Sequence, residues 1–261
     1  MINELALMTG IDIPFEEGHL VIHQPTMKEI SYIGEEAFFS GCQLLNFSKN
    51  MLDEKDKISS EALTDFDILM SIVKDKTTAS SKQVIYLNMT LAILFPLYEF
   101  DFSNGFITFM KINKEDNTIE SGFINNDNFD EFKKKLNLIL CLNQVIQEEP
   151  ELTGEVAKRI AEKLKERHRK LAQMRGGDAN EDKVAIFSRY MSILAVVERK
   201  NLNDLANYTI FQLNDEYKRW QLKDYADKYF QAKVAGASGM DEPDDWTQDI
   251  YSSEFKKNNQ S

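Results

Sequence analysis

The sequence predicts an α+β protein that is mostly α-helical, with a small antiparallel β-meander in its N-terminal part and a helical C-terminal part. Apolar residues recur every three or four positions along several stretches, which is the period of an amphipathic helix. Two segments rich in β-branched and aromatic residues flank Asn104-Gly105, and Asn-Gly is the dipeptide most typical of a tight hairpin turn. Hydrophobic residues make up 43% of the 261 residues, which favours a folded chain over a disordered one.

The first predicted elements are a strand and a helix. The stretch HLVIHQPT contains the branched residues of a strand and stops at Pro25. Thr26 and Glu29 then have the spacing of a capping box, in which each side chain bonds the free backbone N–H of the other residue. Apolar residues continue at helical spacing as far as Gly41, so we expect one amphipathic helix between Thr26 and Gly41.

Two further helices are expected before the meander. The polar stretch 46–60 is expected to be a loop or a short helix, and Thr64 after it is a suitable N-cap. The apolar stripe of the helix that follows consists of Phe66, Leu69, Met70 and Val73. The next helix, KQVIYLNMTLAILF, follows Ser80-Ser81 and ends or kinks at Pro96.

The β-meander is predicted near residues 97–124. YEFDFS and FITFMKI form its first hairpin, and TIESGFI adds a third strand after a turn at KEDN. Residues 125–128 then cap a helix. The apolar face of that helix carries Phe129, Phe132, Leu136 and Ile139. We therefore assign residues 1–150 to an α+β domain.

The composition changes near residue 150, where we place a boundary. Residues 151–235 are predicted to be a helical region with a hinge near 176–182, because Gly176-Gly177 and the polar residues after them interrupt the helical pattern. Eight basic residues against three acidic ones lie between Glu155 and Arg175. The predicted basic patch consists of Lys158, Arg159, Lys163, Lys165, Arg167, Arg169 and Lys170. A solvated helix face, a contact with nucleic acid and a contact with an acidic partner are all compatible with this patch.

The last long helix is the most informative feature for function. Thr209 and Gln212 form a second capping-box pattern before it. Aromatic residues follow on two adjacent faces, and the opposite side carries Asp215, Lys218, Lys223 and Asp227. Such a helix either packs on its own domain or presents a docking face, because Trp and Tyr dominate protein–protein hot spots. The residues predicted to bind a partner are Leu213, Tyr217, Trp220, Tyr225, Tyr229 and Trp246.

Residues 236–261 are predicted to be a flexible acidic tail. Gly236 and Gly239 separate this tail from the helix, and its stretch MDEPDDWTQDIY carries one apolar anchor, Trp246, among acidic residues. Segments of this composition seldom fold alone but become ordered when they bind a partner.

The sequence offers no pattern typical of an enzyme. It contains neither a glycine-rich phosphate loop nor a nucleophile elbow. His19 and His23 would lie about 13 Å apart on a strand, too far to share a metal ion. No catalytic, cofactor-binding or metal-binding residue is therefore predicted. Cys42 and Cys141 are expected to be buried reduced thiols.

Charge and hydropathy argue against several further classes of protein. The net charge of −12 and the isoelectric point near 4.9 argue against a dedicated DNA-binding protein. The N-terminus lacks the basic region of a signal peptide, and the longest apolar run, near residues 91–97, is too short to cross a bilayer. We expect a soluble cytoplasmic protein that contacts no membrane.

The order of these parts resembles that of the tail assembly chaperones of phages that infect Gram-positive bacteria. Three segments carry the resemblance: SGFINNDNFDEFKKKLNLILCLN, AKRIAEKLKERHRKLAQMRGG and DEYKRWQLKDYADKYFQAKVAGASGMDEPDDWTQDIY. It covers the chain from about residue 100 onward, with IPFEEGHLVIHQPTMKEISYIGEEAFF as a less specific part before that.

The resemblance implies a non-enzymatic protein made late in infection. Members of such families coat the long helical tape measure protein, recruit tail tube subunits around it and are absent from the finished virion. The partners implied are therefore the tape measure protein and the tail tube protein, with self-association also open. Two other classes remain: a structural virion component (baseplate, connector or capsid-associated) and, less favoured, a nucleic-acid-associated regulator.

Overall fold

The structure confirms the predicted fold class. It is a computed structural model that describes residues 4–15, 20–49, 63–74, 82–102, 105–112, 119–141, 186–236, 242–243 and 245–247. These residues form a mostly helical α+β fold with two small antiparallel sheets in the N-terminal half and helices at the C-terminal end. The predicted boundary near residue 150, the basic helix and the hinge lie outside the described residues and stay predictions.

The N-terminal residues form a short helix and a hairpin. Helix α1 spans Glu4–Thr9, strand β1 spans Ile13–Phe15 and strand β2 spans Leu20–Ile22. The two strands pair antiparallel, with Phe15 opposite Leu20. Of these elements only the second strand is predicted from the sequence, because α1 and β1 are too short for a periodic pattern to identify them.

The predicted helix after Pro25 is two helices. Helix α2 spans Met27–Ile33 and begins with the predicted capping box of Thr26 and Glu29. Gly34 then adopts φ of +86°, which ends α2 because side-chain-bearing residues rarely adopt this conformation. Helix α3 spans Glu35–Leu45 and so continues past Gly41.

Gly41 allows two helices to approach closely. Helix α4 spans Asp65–Lys74 and helix α5 spans Lys82–Leu94, before Pro96 as predicted. Helix α5 crosses α3 so closely that a Cβ atom at Gly41 would lie 2.1 Å from Thr90 Oγ1 and 2.7 Å from the carbonyl oxygen of Tyr86. The glycine that the sequence pattern reads as a helix end is therefore a packing site in the middle of a helix.

The meander has the predicted three strands. Strand β3 spans Glu99–Asp101, β4 spans Ile107–Ile112 and β5 spans Ile119–Ile124, paired antiparallel in the order β3-β4-β5. Gly105 in the first turn has φ of +80°, as the hairpin turn requires. Ile107 and Phe109 on β4 and Ile124 on β5 are fully buried.

Helix α6 follows the meander and spans Phe129–Leu140. Its predicted apolar face is buried, and that face packs into an aromatic cluster. Phe132 lies 5.8 Å, ring centroid to ring centroid, from Phe15 on β1 and 6.2 Å from Phe95 at the end of α5. The two sheets and helices α5 and α6 thus meet around one core. Both cysteines are buried and free, as predicted.

Three helices form the described C-terminal part. Helix α7 spans Ile186–Val197, α8 spans Leu202–Leu205 and α9 spans Ile210–Val234. The predicted capping box is present at the start of α9, where Thr209 and Gln212 bond each other's backbone N–H.

Backbone contacts join this C-terminal part to the N-terminal part. Thr209 and Thr26, the N-caps of α9 and α2, pair in an antiparallel bridge. The N–H of Met27 donates to the carbonyl of Tyr208 at 2.9 Å. Backbone hydrogen bonds therefore fix the N-termini of α2 and α9 against each other.

A carboxylate from α3 caps the N-terminus of helix α7. Glu35 accepts hydrogen bonds from the N–H groups of Phe187 at 3.2 Å and Ser188 at 2.8 Å. A carboxylate at this position satisfies free N–H donors and interacts favourably with the positive end of the helix dipole. Phe187 also stacks on Phe39 of α3 at 4.9 Å. The described C-terminal helices share one hydrophobic core with the N-terminal part.

Candidate protein-binding site

The first half of α9 belongs to the core of the chain. Ile210, Phe211 and Leu213 are buried, and Tyr217 and Trp220 pack against the core while staying partly exposed. Leu213, Tyr217 and Trp220, three of the six residues predicted to bind a partner, therefore contact the chain itself. For this half of the helix the structure favours packing on its own domain.

An aromatic stack fixes α9 against α7. The ring of Tyr190 on α7 lies parallel to that of Tyr217, with centroids 3.8 Å apart and an interplanar angle of 13°. The ring of Trp220 lies 5.6 Å from that of Tyr217. Burial raises the pKa of Tyr190 above its ordinary value, so this phenol stays neutral at physiological pH.

The second half of α9 exposes apolar side chains. Tyr225 is 47% exposed, Phe230 61% and Val234 91%, while Tyr229 is half-buried with its ring 5.6 Å from that of Phe230. Phe230 and Val234 lie four positions apart on one side of the helix and are called the exposed face of α9, whereas Tyr225 and Tyr229 lie on the other side. Phe230 and Val234 were not among the predicted residues, although they lie four and eight positions after the buried Ala226 and a longer helical stripe would have included them.

Two ion pairs support the helix in this half. Lys223 bonds Asp227 at 3.0 Å, and Asp224 bonds Lys228 at 2.5 Å, each one turn apart. Pairs with this i,i+4 spacing stabilise an isolated helix. The exposed face is thus carried by a helix with local support beyond its core contacts.

An open cleft of about 490 Å³ lies beside α9. Helix α1, the segment after α7 and residues on α9 form its walls, and Lys200, Arg219, Lys223 and Trp220 are among the lining residues. Trp246 of the acidic tail also lines this cleft and is 41% exposed, so more than half of its surface is covered. Arg219 Nη1 lies 3.4 Å from the carbonyl oxygen of Trp246, to which it donates.

Asp215 is a buried charge at the edge of this cleft. Its side chain is only 8% exposed, and both of its carboxylate oxygens accept hydrogen bonds from Arg219 Nε at 3.2 Å. Asp215 was predicted to lie on the side opposite the aromatic stripe, and that prediction is wrong about its environment, which is buried. Helices α1, α6 and α7 all contact α9, so the buried arc of the helix is wider than one stripe.

Lys200 holds a second charged network in the cleft. Its Nζ donates to Tyr208 Oη at 2.6 Å and forms a salt bridge with Glu216. Burial lowers the pKa of Lys200, but the hydrogen bonds with Glu216 and Tyr208 outweigh this effect and raise the pKa above its ordinary value. The cleft therefore combines charged groups of both signs with the indole rings of Trp220 and Trp246.

The outer face of the meander is another exposed apolar surface. Met110 and Ile112 on β4 and Ile119 and Phe123 on β5 are exposed, and Ile112 pairs directly with Ile119. The ring of Phe106 lies 5.8 Å from that of Phe123. We call these five residues the outer sheet face. The strand alternation that exposes them is visible in the sequence, but these residues were not predicted to form a binding surface.

His23 has a structural position next to the capping box of α2. Its Nδ1 lies 2.8 Å from Asp12 Oδ1 and its Nε2 lies 3.1 Å from both carboxylate oxygens of Glu29. Burial lowers the pKa of His23, but the hydrogen bond with Glu29 and the negative charges of Asp12 and Glu29 outweigh it, so the pKa is raised. The ring therefore favours the imidazolium form, which donates from both nitrogens.

Other predicted features have the following positions. The basic patch, from Lys158 to Lys170, lies outside the described residues and stays a prediction. Within the described residues, no three His, Cys, Asp or Glu side chains are grouped so that they could hold a metal ion. None of the described helices is both long and apolar enough to cross a membrane.

Comparison with known proteins identifies one similarity. Residues 179–251 match the family model of the YomV second domain, a phage-derived protein family. The matched segment contains α7, α8, α9 and Trp246, and so includes every residue predicted to bind a partner. It also begins within the predicted hinge near 176–182. No curated protein and no solved structure matches the chain. The match supports a phage protein.

Proposed function

We propose that the chain is a non-enzymatic phage tail assembly chaperone that binds the tape measure protein and tail tube subunits in the cytoplasm of the bacterial host. The similarity of residues 179–251 to a phage-derived family supports the phage setting. One observation carries the chaperone role: α9 is anchored in the core by its first half and exposes Tyr225, Phe230 and Val234 on its second half. A partner helix would bury the exposed face formed by Phe230 and Val234.

The chemistry of the exposed face of α9 suits a helical partner. Side chains four positions apart form ridges that pack into the grooves of another helix, and aromatic side chains contribute most to such contacts. The tape measure protein is a long helical chain with apolar stripes, which need a cover until the tail tube surrounds it. The net charge of −12 keeps a protein with such exposed surfaces soluble.

A chaperone that brings two proteins together needs two surfaces. The outer sheet face lies on β4, β5 and the residue before β4, which are separate from α9, and it includes the directly paired apolar residues Ile112 and Ile119. We assign the exposed face of α9 to the tape measure protein and the outer sheet face to tail tube subunits. This division predicts that substitutions on one surface leave binding at the other intact.

The first test compares lysate of phage-producing cells with purified particles by quantitative mass spectrometry, after cross-linking in the lysate. A chaperone is abundant in lysate, cross-linked to a long helical protein and missing from particles. Presence in particles at a fixed stoichiometry would contradict the proposal and indicate a structural virion component instead.

The second test removes the exposed face of α9 without touching the core. Phe230→Ser combined with Val234→Ser is expected to lower capture of the tape measure protein at least tenfold, the loss of a hot spot worth about 1.4 kcal/mol or more. Val196→Ser with Leu202→Ser removes exposed apolar residues elsewhere and serves as the matched control. Equal capture by both variants would show that α9 does not carry the contact.

A further inference from the structure

The outer sheet face is bordered on β3 by two acidic side chains. Glu99 on β3 pairs directly with Met110 of that face. Asp101, two residues later, pairs with Thr108, which in turn pairs with Phe123 of that face. Directly paired residues of antiparallel strands carry their side chains on the same side of the sheet. Glu99 and Asp101 are both exposed, so they form an acidic edge along the apolar residues.

The inner side of the three strands takes up the remaining side chains. Phe100, between the two acidic residues, points to that side, where its ring lies 6.1 Å from that of the fully buried Phe109. Lys111 alternates with the outer residues of β4, so it also belongs to the inner side, and it forms a salt bridge with Glu120 at 3.4 Å. Lys111 is the only basic residue of β3, β4 and β5. The outer side of these strands therefore carries charge of one sign.

The acidic edge is not compensated within the described part of the chain. Neither Glu99 nor Asp101 forms a salt bridge or a side-chain hydrogen bond with another described residue. The sequence around them has the same sign, since residues 97–124 contain five acidic and two basic residues. Both carboxylates are therefore available to a positively charged side chain of a partner.

An apolar surface with charge along one edge selects the direction of the segment that binds it. Ile112 and Ile119 are directly paired and are 60% and 67% exposed. Burying them favours binding in any direction, because hydrophobic attraction is non-directional. The carboxylates on β3 attract a cation only at their own edge, which fixes the orientation of the partner.

We propose that the outer sheet face binds a segment of the tail tube subunit in which apolar side chains are bordered by lysine or arginine. The apolar side chains lie over β4 and β5, and the basic group lies over the acidic edge on β3. This inference rests on the proposed function, which assigns the face to tail tube subunits, and it adds the chemistry of the segment that binds there.

The first experiment identifies the segment that contacts the face. The full-length chain is produced in phage-infected cells with the photo-cross-linking amino acid p-benzoylphenylalanine at position 110, on the outer side next to Glu99. Mass spectrometry then sequences the cross-linked peptide, which we expect to be an apolar segment bordered by lysine or arginine. A segment bordered by acidic or uncharged residues, or the absence of a cross-link, would overturn the inference. A basic-bordered apolar segment from a protein other than the tail tube subunit would support the chemistry and contradict the assignment of the face.

The second experiment measures what the acidic edge contributes. A fluorescein-labelled synthetic peptide of the cross-linked segment is titrated with the full-length chain, and binding is followed by fluorescence anisotropy. Exposed ion pairs are individually weak, so Glu99→Gln combined with Asp101→Asn should weaken binding roughly fivefold. Glu198→Gln with Asp204→Asn makes the same change in net charge at exposed residues of the C-terminal part, and this matched control should bind like the wild-type chain.

Salt dependence separates the acidic edge from the apolar contact. Raising NaCl from about 0.05 M to about 0.5 M screens exposed charges, so it should weaken binding by the wild-type chain more than binding by the Glu99→Gln, Asp101→Asn variant. Equal affinity of these two chains, or an equal response to salt, would overturn the inference. Circular dichroism verifies that the variant is folded, which we expect because both acidic residues are exposed and lie outside the hydrophobic core.

Discussion

The buried pair of Asp215 and Arg219 predicts an asymmetric response to mutation. The side chain of Asp215 is 8% exposed, whereas that of Arg219 is 33% exposed. Removing the arginine charge leaves a carboxylate in a buried site without its counter-ion. Removing the aspartate charge leaves a guanidinium that reaches water without moving far. The two halves of one ion pair should therefore differ in their apparent contribution to stability.

The variants Arg219→Met and Asp215→Asn isolate this difference. Methionine keeps much of the apolar stem of arginine, so the loss is mainly one of charge and hydrogen bonding. Leaving a buried charge unpaired costs about 3 kcal/mol at the lower end of the usual range. Asparagine keeps the shape of aspartate and one acceptor oxygen, so Asp215→Asn should cost about 1 kcal/mol, the net value of one hydrogen bond.

Thermal unfolding followed by circular dichroism measures the difference. For a chain of this size, 1 kcal/mol corresponds to a shift in Tm of roughly 2–4 °C. Arg219→Met should thus lower Tm by roughly 6–12 °C and Asp215→Asn by roughly 2–4 °C. The double variant should resemble Asp215→Asn, because it no longer contains an unpaired buried carboxylate. If Asp215→Asn costs as much as Arg219→Met, burial is not the source of the effect and the reasoning fails.

Two further predictions concern the N-terminal part. Gly41→Ala places a methyl group 2.1 Å from Thr90 Oγ1. Overpacking should cost about 3 kcal/mol and the better helix propensity of alanine should return about 1 kcal/mol, so the free energy of unfolding measured in urea should fall by about 2 kcal/mol. The control Ser40→Ala, one residue before, should not lower it. His23→Gln should destabilise the folded protein most below about pH 6.5 and less as the pH rises through the raised pKa of His23. The stability that comes from a raised pKa is fully present while the imidazole is protonated in both the folded and the unfolded state. It is lost when the folded form deprotonates. Urea unfolding at pH 5.5 and pH 8 measures this, and an equal loss at both pH values would contradict it.

The features that sequence alone predicted correctly depend on neighbouring residues. Both capping boxes, the hairpin around Gly105 and the buried stripe of α6 are each determined within a few positions of the chain. Local hydrogen bonds, turn conformations and helical periodicity suffice to place them. Residues within a few positions of each feature therefore determine its structure.

The features that sequence misplaced depend on other elements. Gly34 and Gly41 look alike in sequence, yet Gly34 ends a helix through its positive φ and Gly41 lies within one because α5 crosses there. Asp215 looks like a solvated residue, yet its side chain is only 8% exposed and pairs with Arg219 one turn ahead. In each case the deciding contact comes from the tertiary arrangement, which no local pattern contains.

The two halves of α9 show why an aromatic stripe alone does not identify a docking face. Both halves carry aromatic residues at similar spacing, but α9 has 25 residues and α7 and α6, which contact it, have 12 each. At about 1.5 Å per residue the long helix extends about 37 Å and each neighbour only about 18 Å, so a neighbour covers at most half of it. Tyr217 falls in the half where Tyr190 is in reach, while Phe230 and Val234 fall beyond it. The long helix thus extends beyond any one of the described helices that contact it. An apolar stripe becomes a candidate docking face where the helix extends beyond the helices that pack on it.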